Sequence, residues 1–384
     1  MTSELTLSAI YLSILSSQAK LRLYDSLWSD PREIKSQLNK SQCTTQDHIA
    51  EIYGRDPVLA SEAIAERCYK KNISVIPFQD ERYPPLLREI HRPPLIIYAR
   101  GVITNGKMIS IVGTRNSDRL SEEITLKLSS ALSTAGYCIV SGMAYGIDRF
   151  AHLGALNSGG CTTGVLPGGI DTIYPYRNRD IYSMIAASGK SSVISEYPPG
   201  IKSGQKWTFA RRNRIISGVS PAIVVVQAPK GSGAMITARY AIEQNREVFV
   251  CPGHTFDDNY EGCHDLIRDG ASIVSRVEDI LSVIEPGYGG LISYSDKGGL
   301  KDTADTSEVC VKPEFIAPAK PDRADFSAYS GIERELLESI ASGNADIDKF
   351  TRSSSCSPDA VLGAITVLEI EGVITRKGNT LLLK

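Results

Sequence analysis

Between Met108 and Gly253 one pattern repeats, and it limits the fold more than any other feature of the chain. A short run of apolar, mostly β-branched residues leads into a glycine-rich turn, and a stretch of helical spacing follows. Ile109–Val112 runs into Gly113-Thr-Arg115, and Tyr137–Val140 into Ser141-Gly-Met-Ala-Tyr-Gly-Ile-Asp148. Thr163–Leu166 runs into Pro167-Gly-Gly-Ile-Asp171, and Ser192–Ile194 into Ser195-Glu-Tyr-Pro-Pro-Gly200. Ala222–Val226 precedes Lys230-Gly-Ser-Gly233, and Glu247–Val250 ends in Cys251-Pro-Gly253. Strands without a polar face, separated by helices, are parallel strands buried on both sides. The expected fold is therefore α/β, an extended Rossmann-like, doubly wound parallel sheet.

At 384 residues the chain exceeds one ordinary core, so further domains are expected on either side of this block. Residues 1–72 read as a small all-α domain of packing character. Its helix starts are marked by Ser29-Asp30-Pro31 and Asp56-Pro57, a capping residue followed by proline. Two short strands around Ile73–Phe78 and Leu95–Tyr98 lead into the sheet, so the sheet domain is placed at 73–285. Residues 286–330 mix glycines, prolines and charges as a linker does. From 331 to 384 three helices and a hairpin suggest a winged helix. Its helix over 359–371 carries Asp359, Glu369 and Glu371 and no Lys or Arg, which suits contact with protein better than with a DNA groove.

In such a sheet ligands bind beyond the carboxyl ends of the strands. Glycine-rich turns that open helices present free backbone N–H groups and a positive dipole end there, a setting for phosphate. The formal net charge is −2, so affinity for nucleic acid has to come from a local patch. One such patch spans Lys206 to Arg214, where Lys206, Arg211, Arg212 and Arg214 alternate with Trp207 and Phe209. Cations neutralise phosphates and rings accept unstacked bases. No Gly-x-x-x-x-Gly-Lys-Ser/Thr loop occurs, which argues against a P-loop nucleotide hydrolase, and no Gly-x-Gly-x-x-Gly follows the first strand. His152 follows Asp148 at helical spacing, and Asp171 and Glu196 end strands as candidate acids without a second member of a catalytic pair. The eight cysteines are scattered with no Cys-x-x-Cys, so neither zinc nor a disulfide framework is expected, and reduced thiols suggest the cytoplasm. No signal peptide and no membrane span are read.

The ordered set Ile111-Val-Gly-Thr-Arg115, Ser141-Gly-Met-Ala-Tyr-Gly-Ile-Asp148 with Ala151-His152, Ser195-Glu196, Phe209 with Arg212-Asn-Arg-Ile-Ile216, Ser232-Gly233 with Thr237-Ala238, and Pro252-Gly253 resembles the DNA-processing protein A family (DprA, also called Smf). The resemblance is continuous over about 73–284, and the flanks are similar to its longer members. It implies binding and protection of single-stranded DNA, loading of RecA during natural transformation or recombination, homodimerisation, and no catalytic residue, metal or cofactor. The implied DNA-binding set is Gly113, Thr114, Arg115, Ser141, Gly142, Lys206, Phe209, Arg212, Asn213, Arg214, Ser232 and Gly233. Arg115 and Lys206 take phosphate and Phe209 takes a base. The implied dimer contacts are His264, Ile267 and Ile273. Tyr145 stands where the family usually has Arg, which removes a cation from the second turn. The alternative is an enzyme of the "Lonely guy" phosphoribohydrolase type, whose Pro-Gly-Gly-x-Gly-Thr-x-x-Glu is echoed at Pro167–Thr172. There Asp171 replaces glycine, and Pro175 takes the place of the catalytic acid.

Overall fold

The computed structural model describes residues 4–15, 45–104, 106–202 and 206–285, and beyond them 331–342, 373–377, 380–383 and isolated positions from 346 to 368. The helix start expected at Ser29-Asp30-Pro31 and the linker 286–330 lie outside the described residues. The chain divides into two compact units, Met1–Asp296 and Lys297–Lys384.

The first unit begins with helices α1 (Glu4–Ile14), α2 (Asp47–Tyr53) and α3 (Pro57–Lys70). The Asp56 carboxylate accepts from Val58 N–H and Pro57 fills the first turn, as the sequence led one to expect. Then come β1 (Ser74–Pro77), α4 (Pro85–Arg88), β2 (Ile96–Gly101), β3 (Met108–Val112), α5 (Arg119–Thr134) and β4 (Cys138–Ser141). They are followed by α6 (Ile147–Asn157), β5 (Thr162–Val165), α7 (Arg179–Ala187), β6 (Ser192–Ser195), α8 (Lys206–Gly218) and β7 (Ala222–Val225). The unit closes with α9 (Gly233–Glu243), β8 (Glu247–Val250), α10 (Glu261–Arg268), β9 (Ser272–Ile273) and α11 (Val277–Ile284).

These strands form one sheet in the order β1-β2-β6-β5-β4-β3-β7-β8-β9. From β6 to β9 every pairing is parallel, whereas β2 runs antiparallel to both β1 and β6. The expected doubly wound sheet is thus present, and the antiparallel pair extends it by the two lead-in strands. Alternation along each strand sorts the core into two faces. Ile109, Ile111, Ile139, Ala222, Val224 and Phe249 meet α5, α6 and α11 on one side. Cys138, Val140, Val165, Ile223, Val225 and Val250 meet α8, α9 and α10 on the other. Beyond β5 the first side is covered by α1, α2, α3 and α7, which bury Ile96, Tyr98 and Val193. The strand order reverses at β3, between β4 on one side and β7 on the other, and this switch point places the crevice.

The second unit contains α12 (Gly331–Ala341) and an antiparallel hairpin, β10 (Ile374–Lys377) with β11 (Thr380–Leu383). Leu336, Leu337, Ile340, Phe350, Leu368, Ile374 and Leu381 share a core of their own. Of the helix expected over 359–371, the described positions Val361, Ala364, Ile365 and Leu368 are helical and buried.

Candidate nucleic-acid interface

The turns after β3 and β7 are bound to each other at the switch point. Thr114 N–H donates to Gln227 O at 2.7 Å, and the Gln227 amide exchanges hydrogen bonds with Asp118. Asp118 in turn caps α5 by accepting from Ser121 N–H at 2.7 Å. The turn after β3 also carries the start of α6, because Ile147 N–H donates to Thr114 O at 3.2 Å. Gly113 permits this approach: a Cβ there would lie 2.4 Å from Ile147 Cγ1. The turn closes with Arg115, whose exposed guanidinium sits over the half-buried Phe209 ring, Cζ 5.1 Å from its centroid. Phe209 also meets the ring of Tyr174, 5.7 Å away and tilted by 59°. Arg115, Gly142, Ala144, Tyr145, Tyr174, Pro175, Phe209 and Arg212 line one shallow cleft.

The floor of that cleft is an internal charge network. Asp148, only 6% exposed, accepts from Gly142 N–H at 3.1 Å and Ala144 N–H at 3.3 Å. Arg212, 5% exposed, donates to Gly142 O and, at 2.8 Å, to Val165 O. Gly142 lies between the two charges, and a Cβ on it would be 2.5 Å from Arg212 Nη1 and 2.7 Å from Asp148 Oδ2. Burial raises the Asp148 pKa above the ordinary carboxylate value, while the Arg212 charge and the Ala144 N–H hold it down. Burial likewise lowers the Arg212 pKa to about 10, against the pull of Asp148. Arg212 was expected among the surface contacts; the structure turns it inward, where it holds the second turn in shape. Asn213 and Ser141 are buried as well, donating to Gly233 O at 3.2 Å and Ile111 O at 2.7 Å.

Two further cations of α8 meet a carboxylate. Arg211 and Arg214 reach the two oxygens of Glu196 at 3.2 and 2.7 Å, and Arg214 also donates to Arg92 O. The Lys206 and Trp207 side chains lie outside the described residues. Ser232 stands at the N-cap of α9 with its buried hydroxyl unpartnered among the described residues, and Gly233 beside it is exposed. The acid–base candidates are likewise engaged. Asp171 accepts from Gly200 N–H at 2.5 Å and pairs with Arg67 at 3.1 Å and Lys71 at 2.5 Å. Burial would raise its pKa, but the Lys71 hydrogen bond and these neighbours hold it below the ordinary value. His152 bonds Thr162 at 2.7 Å through Nδ1 instead of meeting Asp148, and burial lowers its pKa to about 3. Among the described residues no cluster of His, Cys, Asp and Glu fits a metal ion, and no helix is long and apolar enough to cross a membrane. The residue that sequence reasoning missed is Tyr174, the second ring of the cleft. Its signal was Tyr174-Pro-Tyr-Arg177, aromatics next to a cation on a strand-end loop.

A profile of the family described as DNA recombination-mediator protein A matches residues 74–285 of the chain. The chain belongs to this family. It is similar to DNA processing protein DprA of Bacillus subtilis, 40% identical over 214 residues, which are 55% of this chain and 71% of that protein. It is also similar to Protein Smf of Synechocystis, 39% identical over 256 residues, 65% of this chain and 62% of that protein. Among solved structures, DNA processing protein A of Streptococcus pneumoniae matches with a TM-score of 0.59 at 28% identity, over 74% of this chain and 99% of that one. The part matched to the DprA family runs from the first residue of β1 to just past α11, so it holds the whole sheet and leaves α1–α3 outside. Within it, the three residues expected at a DprA dimer contact sit on α10 and β9. His264 and Ile267 are half-buried, Ile267 against the sheet core, and Ile273 is 51% exposed on the edge strand.

Proposed function

We propose that this DprA-family chain binds single-stranded DNA across the carboxyl edge of its sheet, as a cytoplasmic homodimer. It shields the strand and passes it to RecA in recombination or transformation, and it catalyses no reaction. The observation that carries this reading is the exposed Arg115 guanidinium held over the Phe209 ring at the switch point. A cation beside a ring suits a backbone whose bases are free to leave the stack, which duplex DNA does not offer. Lys206, Arg115 and Phe209 are the primary contacts, the Gly113-Thr114 and Ser232-Gly233 backbones accompany them, and Arg212, Asn213, Ser141 and Gly142 position them. The non-enzymatic reading is favoured because Asp148, Asp171 and Glu196 are each committed to structural partners.

A gel shift with oligo(dT) and a duplex of equal length, at two salt concentrations, tests the binding. The single strand should win at both, and equal retention of the duplex would remove the proposal. A strand coated with the protein should then accept RecA faster than a bare strand held by a single-strand-binding protein; no gain removes the loading role.

The dimer reading is supported by Ile273, a large apolar side chain open on the two-residue edge strand β9. In a two-fold contact Ile273→Glu sets like charges against each other. Light scattering at low micromolar concentration should show this variant as monomer and the parent as dimer. A variant that remains dimeric would put the interface elsewhere.

A further inference from the structure

The loop between β5 and α7 carries a second ring-and-cation pair that none of the expected site residues includes. It runs Thr172-Ile-Tyr-Pro-Tyr-Arg-Asn-Arg179 and leaves the same carboxyl edge of the sheet. Tyr176 is 57% exposed, and Arg179 Cζ lies 5.1 Å from its ring centroid, the same separation as between Arg115 and Phe209. Tyr174, two residues before Tyr176, is in ring contact with Phe209. The loop that reaches the first pair through Tyr174 therefore also carries the second.

An exposed tyrosine on a loose turn would mean little, but this loop is fixed. Asn178, buried, donates from Nδ2 to Met143 O at 2.8 Å and Ala144 O at 3.0 Å, tying the loop to the turn after β4. Arg149 holds Asn178 Oδ1 at 3.0 Å and pairs with Asp180, so the acid next to Arg179 is already taken up. Among the described residues no carboxylate pairs with Arg179 itself. A guanidinium over a ring still carries N–H donors at its edge, so a phosphate can bind there while the cation–ring contact persists. Its outer face then remains open to a base. Holding ring and cation in place beforehand lowers the ordering cost of binding.

The geometry points to Tyr176 and Arg179 as a second nucleotide station, which extends the single-strand path from Phe209 across Tyr174 and out over the β5–α7 loop. This rests on the proposed binding at Arg115 and Phe209. Strand DNA leaving the switch point crosses the loop with one base on the Tyr176 stack and a phosphate on Arg179.

The test is titration of (dT)20 with the full chain and its Tyr176→Ala, Tyr176→Phe, Arg179→Ala and Arg115→Ala variants at several salt concentrations, beside a thermal melt. Loss of a stacked ring should weaken binding about tenfold for Tyr176→Ala. Tyr176→Phe, which keeps the ring, should bind like the parent. Arg179→Ala should also weaken binding and flatten the log–log salt slope by about 0.7. All are surface changes, so their melting temperatures should match that of the parent. If Arg115→Ala loses affinity while Tyr176→Ala and Arg179→Ala bind as tightly as the parent, the second station is wrong and the primary site stands. If Arg115→Ala is unaffected as well, the primary reading fails and takes the second station with it.

Discussion

Replacing Arg212 by Met should cost about 3–5 kcal/mol of stability, because it leaves the buried Asp148 carboxylate without its counter-charge. The carbonyls of Gly142 and Val165 lose their donor in the same step. Urea unfolding followed by circular dichroism reads the loss as a lower midpoint. Asp148→Asn combined with Arg212→Met should recover part of it, since the neutral amide needs no cation, and a double-mutant cycle separates that coupling from the cavity left behind. The competing role for Arg212 is direct contact with DNA. It predicts the reverse, a nearly unchanged midpoint and a large loss of affinity in the folded variant, and that result would sink the internal assignment.

The second large effect is expected at the cleft itself. Phe209→Ala should cost about 1–3 kcal/mol of affinity for oligo(dT) and leave its salt dependence almost unchanged, because a ring neutralises no phosphate. Arg115→Ala should flatten the log–log salt slope by about 0.7 and weaken all sequences alike. Phe209 is half-buried, so a thermal melt has to accompany the titration. A lowered melting temperature with unchanged affinity would make Phe209 a core residue, and unchanged affinity in Arg115→Ala would move the phosphate site away from the turn after β3.

The sheet was legible because its central strands are buried on both faces, so several appear as largely apolar runs such as Ala222–Val226. The turns were legible because their glycines answer to close contacts, as Gly113 does to Ile147. The direction of each α8 side chain was harder to read, since a charge in a sequence does not say which way it points. A periodicity was nevertheless present: Thr208, Arg212, Ile215 and Ile216 recur at helical spacing and are all buried, which places Arg212 on the inward stripe. The partners of the other cations left no such trace. Glu196 meets Arg211 and Arg214 across the sheet edge, and Asp171 meets Arg67 from about a hundred residues away. Such pairings depend on the finished topology, and no local spacing encodes them.

The pairing of Arg211 and Arg214 with Glu196 also bears on how fast a polyanion arrives. Two guanidinium groups against one carboxylate leave a single net positive charge in that group, and its field fades beyond a Debye length, about 8 Å at physiological ionic strength. With the chain at a net charge of −2, little long-range attraction draws DNA in from solution. Encounter then belongs to the unsteered regime, about 10⁵–10⁶ M⁻¹s⁻¹. Discrimination between a single strand and a duplex is therefore exercised after contact, in how long each stays.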